Sequence, residues 1–456
     1  MERVSTGNRN LDAVLGGGLP RHSLNLVMGL PGTGKTVLAE QLAFANGSAD
    51  RPVLYLTTFS EPLAKVLTYL QEFRFADPER IGTEIHYDSL VDVLLEDPTK
   101  LVERLRETIQ SLRPSVLVID SFKAILELVP DRLAWRKLAF DVAGLLAAYD
   151  VTSLWVGEYE PGSLAELPEF AIADGIIELH REQWGSRDER FLRVAKLRGS
   201  DFLDGRHAFT ISAGGLRIFP RLVGPEGLPR FAGPPERLST GVAGLDAMIE
   251  SGWLRGSSTL VEGPSGAGKS ILGLHFLRHG AAHGEPGLLV NFQESPAQVA
   301  RAVTSLGWNP AELLRPGRLD HMYNSPVELQ IDTIVQGVLS RVEEHGVRRV
   351  VIDALGDLER CAGDPRRFSD YIYALTQEFA VRQVTALLLM ETPPGSPLGV
   401  GSVGGEVSYM TDNILLLSME LGEDLVRTVR IVKTRGSAHD GGRHVLRIGA
   451  DGIRVE

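Results

Sequence analysis

The chain of 456 residues has a single cysteine, Cys361, which excludes an intramolecular disulfide and any cysteine-based zinc cluster. Long apolar runs are missing too. Stretches such as "TALLLM" (385–390) fall far short of the roughly 20 residues a membrane helix needs. The opening "MERVSTGNRN" has no apolar signal core, so a cytoplasmic protein with no membrane association is expected. Basic residues are in deficit, 47 Lys and Arg against 59 Asp and Glu, for a formal charge of -12. No protein-wide positive field draws in nucleic acid. The short basic points "GVRRV" (346–350) and "GDPRRF" (363–368) lack the interleaved aromatics that stack single strands, and they read as solvated loop charges.

What remains is an ordinary globular composition, 43% hydrophobic and 23% charged, long enough for two to three domains. The chain repeats once. "STGNRNLDAVLGGGLPRHSLNLVMGLPGTGKT" (5–36) aligns without gaps on "STGVAGLDAMIESGWLRGSSTLVEGPSGAGKS" (239–270), with 15 of 32 positions identical at an offset of 234. "SVLVID" (115–120) answers "RVVID" (349–353), "KLRGS" (196–200) answers "KTRGS" (433–437), and "GRH" recurs at 205 and 442. Between the copies, "FPRLVGPEGLPRFAGPPERL" (219–238) is too rich in proline to be helical and reads as an extended linker. The expected division is a domain over 1–219, a linker over 220–236 and a second domain over 237–456.

Short Val/Leu/Ile runs alternate with helical patterns in each copy: strand 24–28, helix 35–46, strand 52–58, helix 61–73. This is the rhythm of an α/β domain with a mostly parallel sheet flanked by helices. After the first strand of each copy, "GLPGTGKT" (29–36) and "GPSGAGKS" (263–270) match the full phosphate-loop pattern. Gly29, Gly32, Thr33 and Gly34, like Gly263, Gly266, Ala267 and Gly268, form the curl that points backbone N–H groups at phosphate oxygens. Lys35 and Lys269 supply the charge for the outer phosphates, while Thr36 and Ser270 offer hydroxyls to Mg²⁺. Asp120 and Asp353 each end an apolar strand, where a carboxylate reaches the metal directly or through water. ATP and Mg²⁺ are the expected ligands.

On both phosphate loops, both strand-end Asp residues and "KLRGSDFLDGRHAFTISAGGLRIFP" (196–220) with its counterpart from 433, the chain resembles KaiC-like proteins nearly end to end. That family comprises tandem RecA-like ATPases related to the cyanobacterial clock ATPase and autokinase. The resemblance implies two tandem RecA-like P-loop NTPase domains and a homo-hexameric ring with ATP at subunit interfaces. It further implies that Lys196 and Arg198, and Lys433 and Arg435, act on the neighbour's γ-phosphate. Strand alternation puts each Lys and Arg on one face, as such a clamp requires, although a solvated basic face has the same pattern.

The copies part at the residue that would activate water. KaiC-like domains usually carry two adjacent Glu residues just after the second strand. Holding the offset, "RPVLYLTTFSEP" (51–62) lies on "EPGLLVNFQESP" (285–296), so Phe59 matches Gln293 and Ser60 matches Glu294. Glu61 is one residue late. Glu294 is thus the expected base, with the second domain hydrolysing ATP and the first mainly binding it. The resemblance also points to autophosphorylation before a T-D pair. "GEVSYMTDNILLL" (405–417) puts Ser408 in the acceptor register and Tyr409 where the family has Thr, whereas the first copy has Phe170 and Ala171. An unmodified loop serine is the plain alternative for Ser408. The family's clock members extend beyond the point matching Glu456, so a circadian oscillator is not expected.

His275, His279 and His283 share the spacing of one helix face, but Gly280 is expected to end that helix, and metal binding is not. The favoured reading is a signalling ATPase and serine autokinase with a protein partner. The alternatives are a RecA-like DNA-dependent ATPase of recombination or repair, and a non-catalytic nucleotide-gated scaffold.

Overall fold

The computed structural model describes residues 2–59, 62–129, 131–160, 167–184, 187–225, 227, 236–325, 330–392, 404–422 and 424–456. Ser60, Glu61 and most of the stretch 226–235 lie outside the described residues. The chain forms two compact units, 1–221 and 222–456.

In the N-terminal unit, β1 (Arg3–Val4) and β2 (Leu19–Pro20) form a small antiparallel pair. The main sheet holds β3 (Leu24–Gly29), β4 (Val53–Thr57), β5 (Ile85–Ser89), β6 (Val116–Asp120), β7 (Thr152–Gly157), β8 (Gly175–Trp184), β9 (Arg187–Leu197), β10 (Arg206–Ser212) and β11 (Gly215–Phe219). Their order is β5-β4-β6-β7-β3-β8-β9-β10-β11. The six strands from β5 to β8 are parallel, and β9 to β11 continue antiparallel.

The C-terminal unit repeats this plan. β12 (Arg237–Leu238) and β13 (Trp253–Leu254) form the small pair. The main sheet holds β14 (Ser258–Gly263), β15 (Gly287–Asn291), β16 (Leu319–Tyr323), β17 (Arg349–Asp353), β18 (Thr385–Glu391), β19 (Asn413–Leu421), β20 (Leu425–Lys433), β21 (His444–Gly449) and β22 (Gly452–Val455). The order β16-β15-β17-β18-β14-β19-β20-β21-β22 matches the first sheet strand for strand. These are two tandem RecA-like sheets with a phosphate-loop strand at the centre of each.

The inner parallel strands are largely apolar on both faces because helices cover both, whereas the edge strands β5 and β16 are more polar and only partly buried. In β3, Val27 joins the core under the helix Lys35–Asn46, while Leu24, Leu26 and Met28 join the opposite core under Leu101–Leu112 and Arg132–Ala148. The second unit has the same two-core division. Among the described residues, no helix is long and apolar enough to cross a membrane.

Three local expectations need correction. The helix expected over 61–73 is shorter, Leu63–Leu70. The basic pairs are not all solvated loop charges. Arg349 lies in β17, among the largest fully buried side chains, where Nε donates to Glu285 at 2.7 Å and Nη1 to the carbonyls of Ser239 and Phe276. Arg367, in the helix Pro365–Val381, pairs with the buried Asp332. In both cases a carboxylate, half-buried for Glu285 and buried for Asp332, compensates the desolvated guanidinium. Gly280 does not end its helix, which runs Lys269–Ala282. A glycine is there because a Cβ would stand 2.4 Å from Arg349 Cδ. His275 faces inward and accepts from the Ile453 N–H through Nε2 at 3.0 Å, and His279 stacks on His283. Among the described residues, no group of His, Cys, Asp or Glu is arranged to hold a metal through three such ligands.

Candidate nucleotide sites

Each phosphate loop leaves the central strand and turns into a helix through a glycine in the left-handed region, Gly34 at φ 103° and Gly268 at φ 105°. A side chain there would be strained, and a Cβ on Gly34 would also stand 2.6 Å from Ile211. Thr33 braces the first loop by donating to the Leu30 carbonyl at 2.8 Å, and the matching Ala267 is equally buried. The Lys35 ammonium donates to the Leu30 carbonyl at 3.0 Å, and Lys269 to Gly263 and Pro264 at 2.8 and 2.9 Å. Burial pulls both ammonium pKa values down. Glu158 and Asp120 oppose this for Lys35, as do Glu391 and Asp353 for Lys269.

Beside each lysine, the hydroxyl and the strand-end Asp expected to hold Mg²⁺ lie within hydrogen-bond distance of each other. Thr36 Oγ1 donates to Asp120 Oδ2 at 2.8 Å, and Tyr55 donates to the same oxygen at 3.0 Å. In the second unit Ser270 hydrogen-bonds Asp353, whose carboxyl is pushed up by burial and held back by Ser270 and Lys269. A hydroxyl and a carboxylate side by side are the hard oxygen donors that Mg²⁺ takes.

The loops and strand ends enclose a cleft of about 400 Å³ in the first unit and about 420 Å³ in the second. Ile211 and Ile448 give each cleft an apolar wall. Two residues that the sequence reading missed also line them: Glu158, which follows β7, and Glu391, which ends β18. Both strands lie directly beside the phosphate-loop strand, with Met28 opposite Gly157 and Gly263 opposite Glu391. Their signal was present in the repeat, as "LWVGE" (154–158) against "LLLME" (387–391).

Glu294 and Gln293 both line the second cleft. Burial, with Asp353 nearby, pushes the Glu294 carboxyl above its ordinary value. The registers Thr57 to Asp120 and Asn291 to Asp353 agree, which sets Phe59 opposite Gln293 in the comparison of the two units. Glu61 falls outside the described residues.

The Lys/Arg pairs are elsewhere. Lys196 ends near Leu26 through the pairings Lys196 to Ile176 and Ile176 to Leu26, and Lys433 ends near Leu260 in the same way. Both therefore sit toward the amino ends of the central strands, away from their own phosphate loops. The expected alternation on one strand face holds only in part, because β9 stops at Leu197 and β20 at Lys433, each after a register shift. A neighbouring helix end gathers them instead. Lys196 donates to the carbonyls of Phe170 and Ala171, and Arg198 reaches Asp174. Lys433 donates to Ser408 and Thr411, and Arg435 to Tyr409. Ser408 is half-buried on the helix Gly404–Met410, and Asp412 just beyond it bonds the Ser258 carbonyl at the start of β14.

Comparison with known proteins matches the whole chain. A family model described as "ATPase: KaiC" fits residues 4–223 and again 238–456. The circadian clock oscillator protein KaiC of Picosynechococcus sp. is 28% identical over 478 residues, covering 100% of this chain and 90% of that protein. The protein of the same name from Thermosynechococcus vestitus is 29% identical over 465 residues, covering 97% of this chain and 86% of its own length.

Proposed function

The chain belongs to the KaiC family of ATPases, and from that premise we propose that it binds Mg·ATP in both units and hydrolyses it in the C-terminal one. The observation that carries the division is the cleft lining. Gln293 and Glu294 face the second cleft, and the first has Phe59 at the Gln293 position. In the second cleft the loop N–H groups and Lys269 bind and orient the phosphates. Ser270 and Asp353 would hold Mg²⁺, which when bound neutralises charge on the transferring phosphate. Glu294 accepts the proton of the attacking water, and its raised pKa suits that task near neutral pH.

The Lys/Arg pairs act on a second copy of the chain. Lys433 lies level with Leu260, three residue steps or about 10 Å short of Gly263 along β14, and two strands or about 10 Å to the side of it, so its side chain is out of reach of its own phosphate loop. Ser408 is not among the residues that line its own cleft, and Asp412 just beyond its helix bonds Ser258 at the start of β14. A ring, proposed as a hexamer, with nucleotide between copies brings Lys433, Arg435 and Ser408 to a neighbour's phosphate, with Ser408 the acceptor of an autokinase step.

Pure protein incubated with Mg·ATP, with ADP release and intact mass followed together, tests the proposal. Lys269→Ala is expected to abolish turnover while Lys35→Ala leaves most of it. The reverse pattern, with assembly intact, refutes the division. Added phosphate that maps away from Ser408 refutes the acceptor.

A further inference from the structure

The repeat isolates one contact that only the second cleft has. The Gln293 amide nitrogen donates to Asp357 Oδ2 at 2.9 Å. Asp357 lies in the first turn of the helix Leu355–Ala362, four residues after Asp353, and is buried. Its other oxygen accepts from Arg360, one turn further on. A carboxylate only accepts hydrogen bonds, so this contact settles which end of the amide faces it: nitrogen toward Asp357, oxygen away.

The offsets that align the two units, 234 for the second strand and 233 after the strand-end Asp, place Phe59, Ala124 and Glu127 where the C-terminal unit has Gln293, Asp357 and Arg360. All three partners are replaced together. Asp357 also explains why an amide stands at 293. A glutamate there would press a second carboxylate against Asp357, and one of the two would have to take up a proton.

We infer that Asp357 is a positioning residue for hydrolysis: by holding the Gln293 amide nitrogen, it fixes the amide oxygen as an acceptor that orients the attacking water. The inference rests on the reading that the C-terminal unit hydrolyses ATP. The water oxygen forms the new bond to the γ-phosphorus, and the bridging P–O bond breaks with its electron pair leaving on ADP. Glu294 takes the proton that is released, while Gln293 accepts a hydrogen bond from the O–H that stays. With the amide unanchored, either end can face the water, and the nitrogen end offers it a donor where an acceptor is needed.

Steady-state turnover of the full chain tests this, with thermal melting as the check on folding. If turnover survives Lys269→Ala, the C-terminal unit is not the hydrolytic one and the positioning role falls with that reading. If Lys269→Ala abolishes turnover, Asp357→Ala is expected to lower kcat about tenfold with KM unchanged. Gln293→Ala should lower it as much, and the double variant no further than either. Asp357→Asn keeps an acceptor oxygen at native size and should retain most of kcat. Arg360 is largely exposed, so Arg360→Ala folds even where Asp357→Ala does not, and it should lower kcat a few-fold. Additive losses in the double variant, or a kcat untouched by Gln293→Ala, overturn the positioning role and leave the assignment of hydrolysis standing.

Discussion

Replacing Glu40 by glutamine removes a charge that the N-terminal unit buries and the C-terminal unit does not carry. Glu40 is on the phosphate-loop helix, one turn beyond Thr36, and is 3% exposed. Its Oε2 accepts from the Tyr87 hydroxyl at 2.5 Å, while Oε1 has no hydrogen-bond partner among the described residues. Burial raises its pKa from 4.5 to about 8. The Tyr87 bond opposes the rise, and Asp120 adds to it.

Below pH 4.5 the carboxyl is protonated in the folded and unfolded chain alike, and its burial carries no ionisation penalty. As pH rises, the unfolded chain loses the proton first and stability falls, until the folded form also ionises near pH 8 and the loss levels off. The difference between 4.5 and about 8 corresponds to an upper bound of roughly 5 kcal/mol. Glu40→Gln is neutral at every pH and nearly the same size. Its N-terminal unit should match the native one near pH 4.5 and exceed it by several kcal/mol at pH 8.5. Native-state amide exchange over 35–57 reads the opening free energy of this helix and the next strand, and intrinsic rate effects cancel between the two proteins. A native-to-variant difference that stays constant from pH 5 to 8.5 would refute the reasoning.

Two further outcomes are expected. Glu285→Ala strips Arg349 of its carboxylate and leaves a buried charge unpaired, at about 3–5 kcal/mol, or about 10 °C in the melting temperature of the C-terminal unit by calorimetry. Arg349→Met leaves Glu285 with Arg255, 2.6 Å away, and should cost less; the opposite ranking would sink the account. Glu294→Gln should lower kcat by about 10² or more, and in the native protein the acid limb of the kcat profile should lie above the ordinary carboxylate range. A limb at the ordinary value would remove Glu294 as the base.

The phosphate loops, the strand-end Asp residues and the parallel sheets were legible because each depends on local spacing: a loop pattern, an apolar run, a turn. Contacts across the sheet were less so. Gln293 and Asp357 are 64 residues apart, and only the register of β15 on β17 brings their loops together. Arg349 looked solvated because its neighbour Arg348 and the preceding turn are polar, while the carboxylate that lets it sink into the core is far off at Glu285. The alternation expected for Lys196 and Arg198 assumed an unbroken strand, but β9 shifts register beside Ile176 and ends at Leu197, one residue short of Arg198. Glu158 and Glu391 were visible in the repeat itself, but strand-end carboxylates beside the loop strand acquire meaning only once the strand order is known.

The repeat also works as an internal control on what each unit does. Everything proposed to grip Mg·ATP is duplicated: glycine loop, lysine, hydroxyl and strand-end Asp. The differences fall on the two sides of that grip. In front of the phosphates, Gln293 with Asp357 becomes Phe59 with Ala124. Behind the metal pair, Leu274, Leu289 and His321 become Glu40, Tyr55 and Tyr87, and Tyr55 bonds Asp120 directly. On the proposed assignment of hydrolysis, the first unit lacks the groups that would handle water, and has a tyrosine, Tyr55, that holds the Asp120 carboxylate in place. Bound nucleotide stabilises a folded unit in proportion to RT ln(1 + [L]/Kd), and turnover in the other unit leaves that contribution intact. On the proposed division, the N-terminal unit supplies standing, ligand-dependent stability while the C-terminal unit cycles.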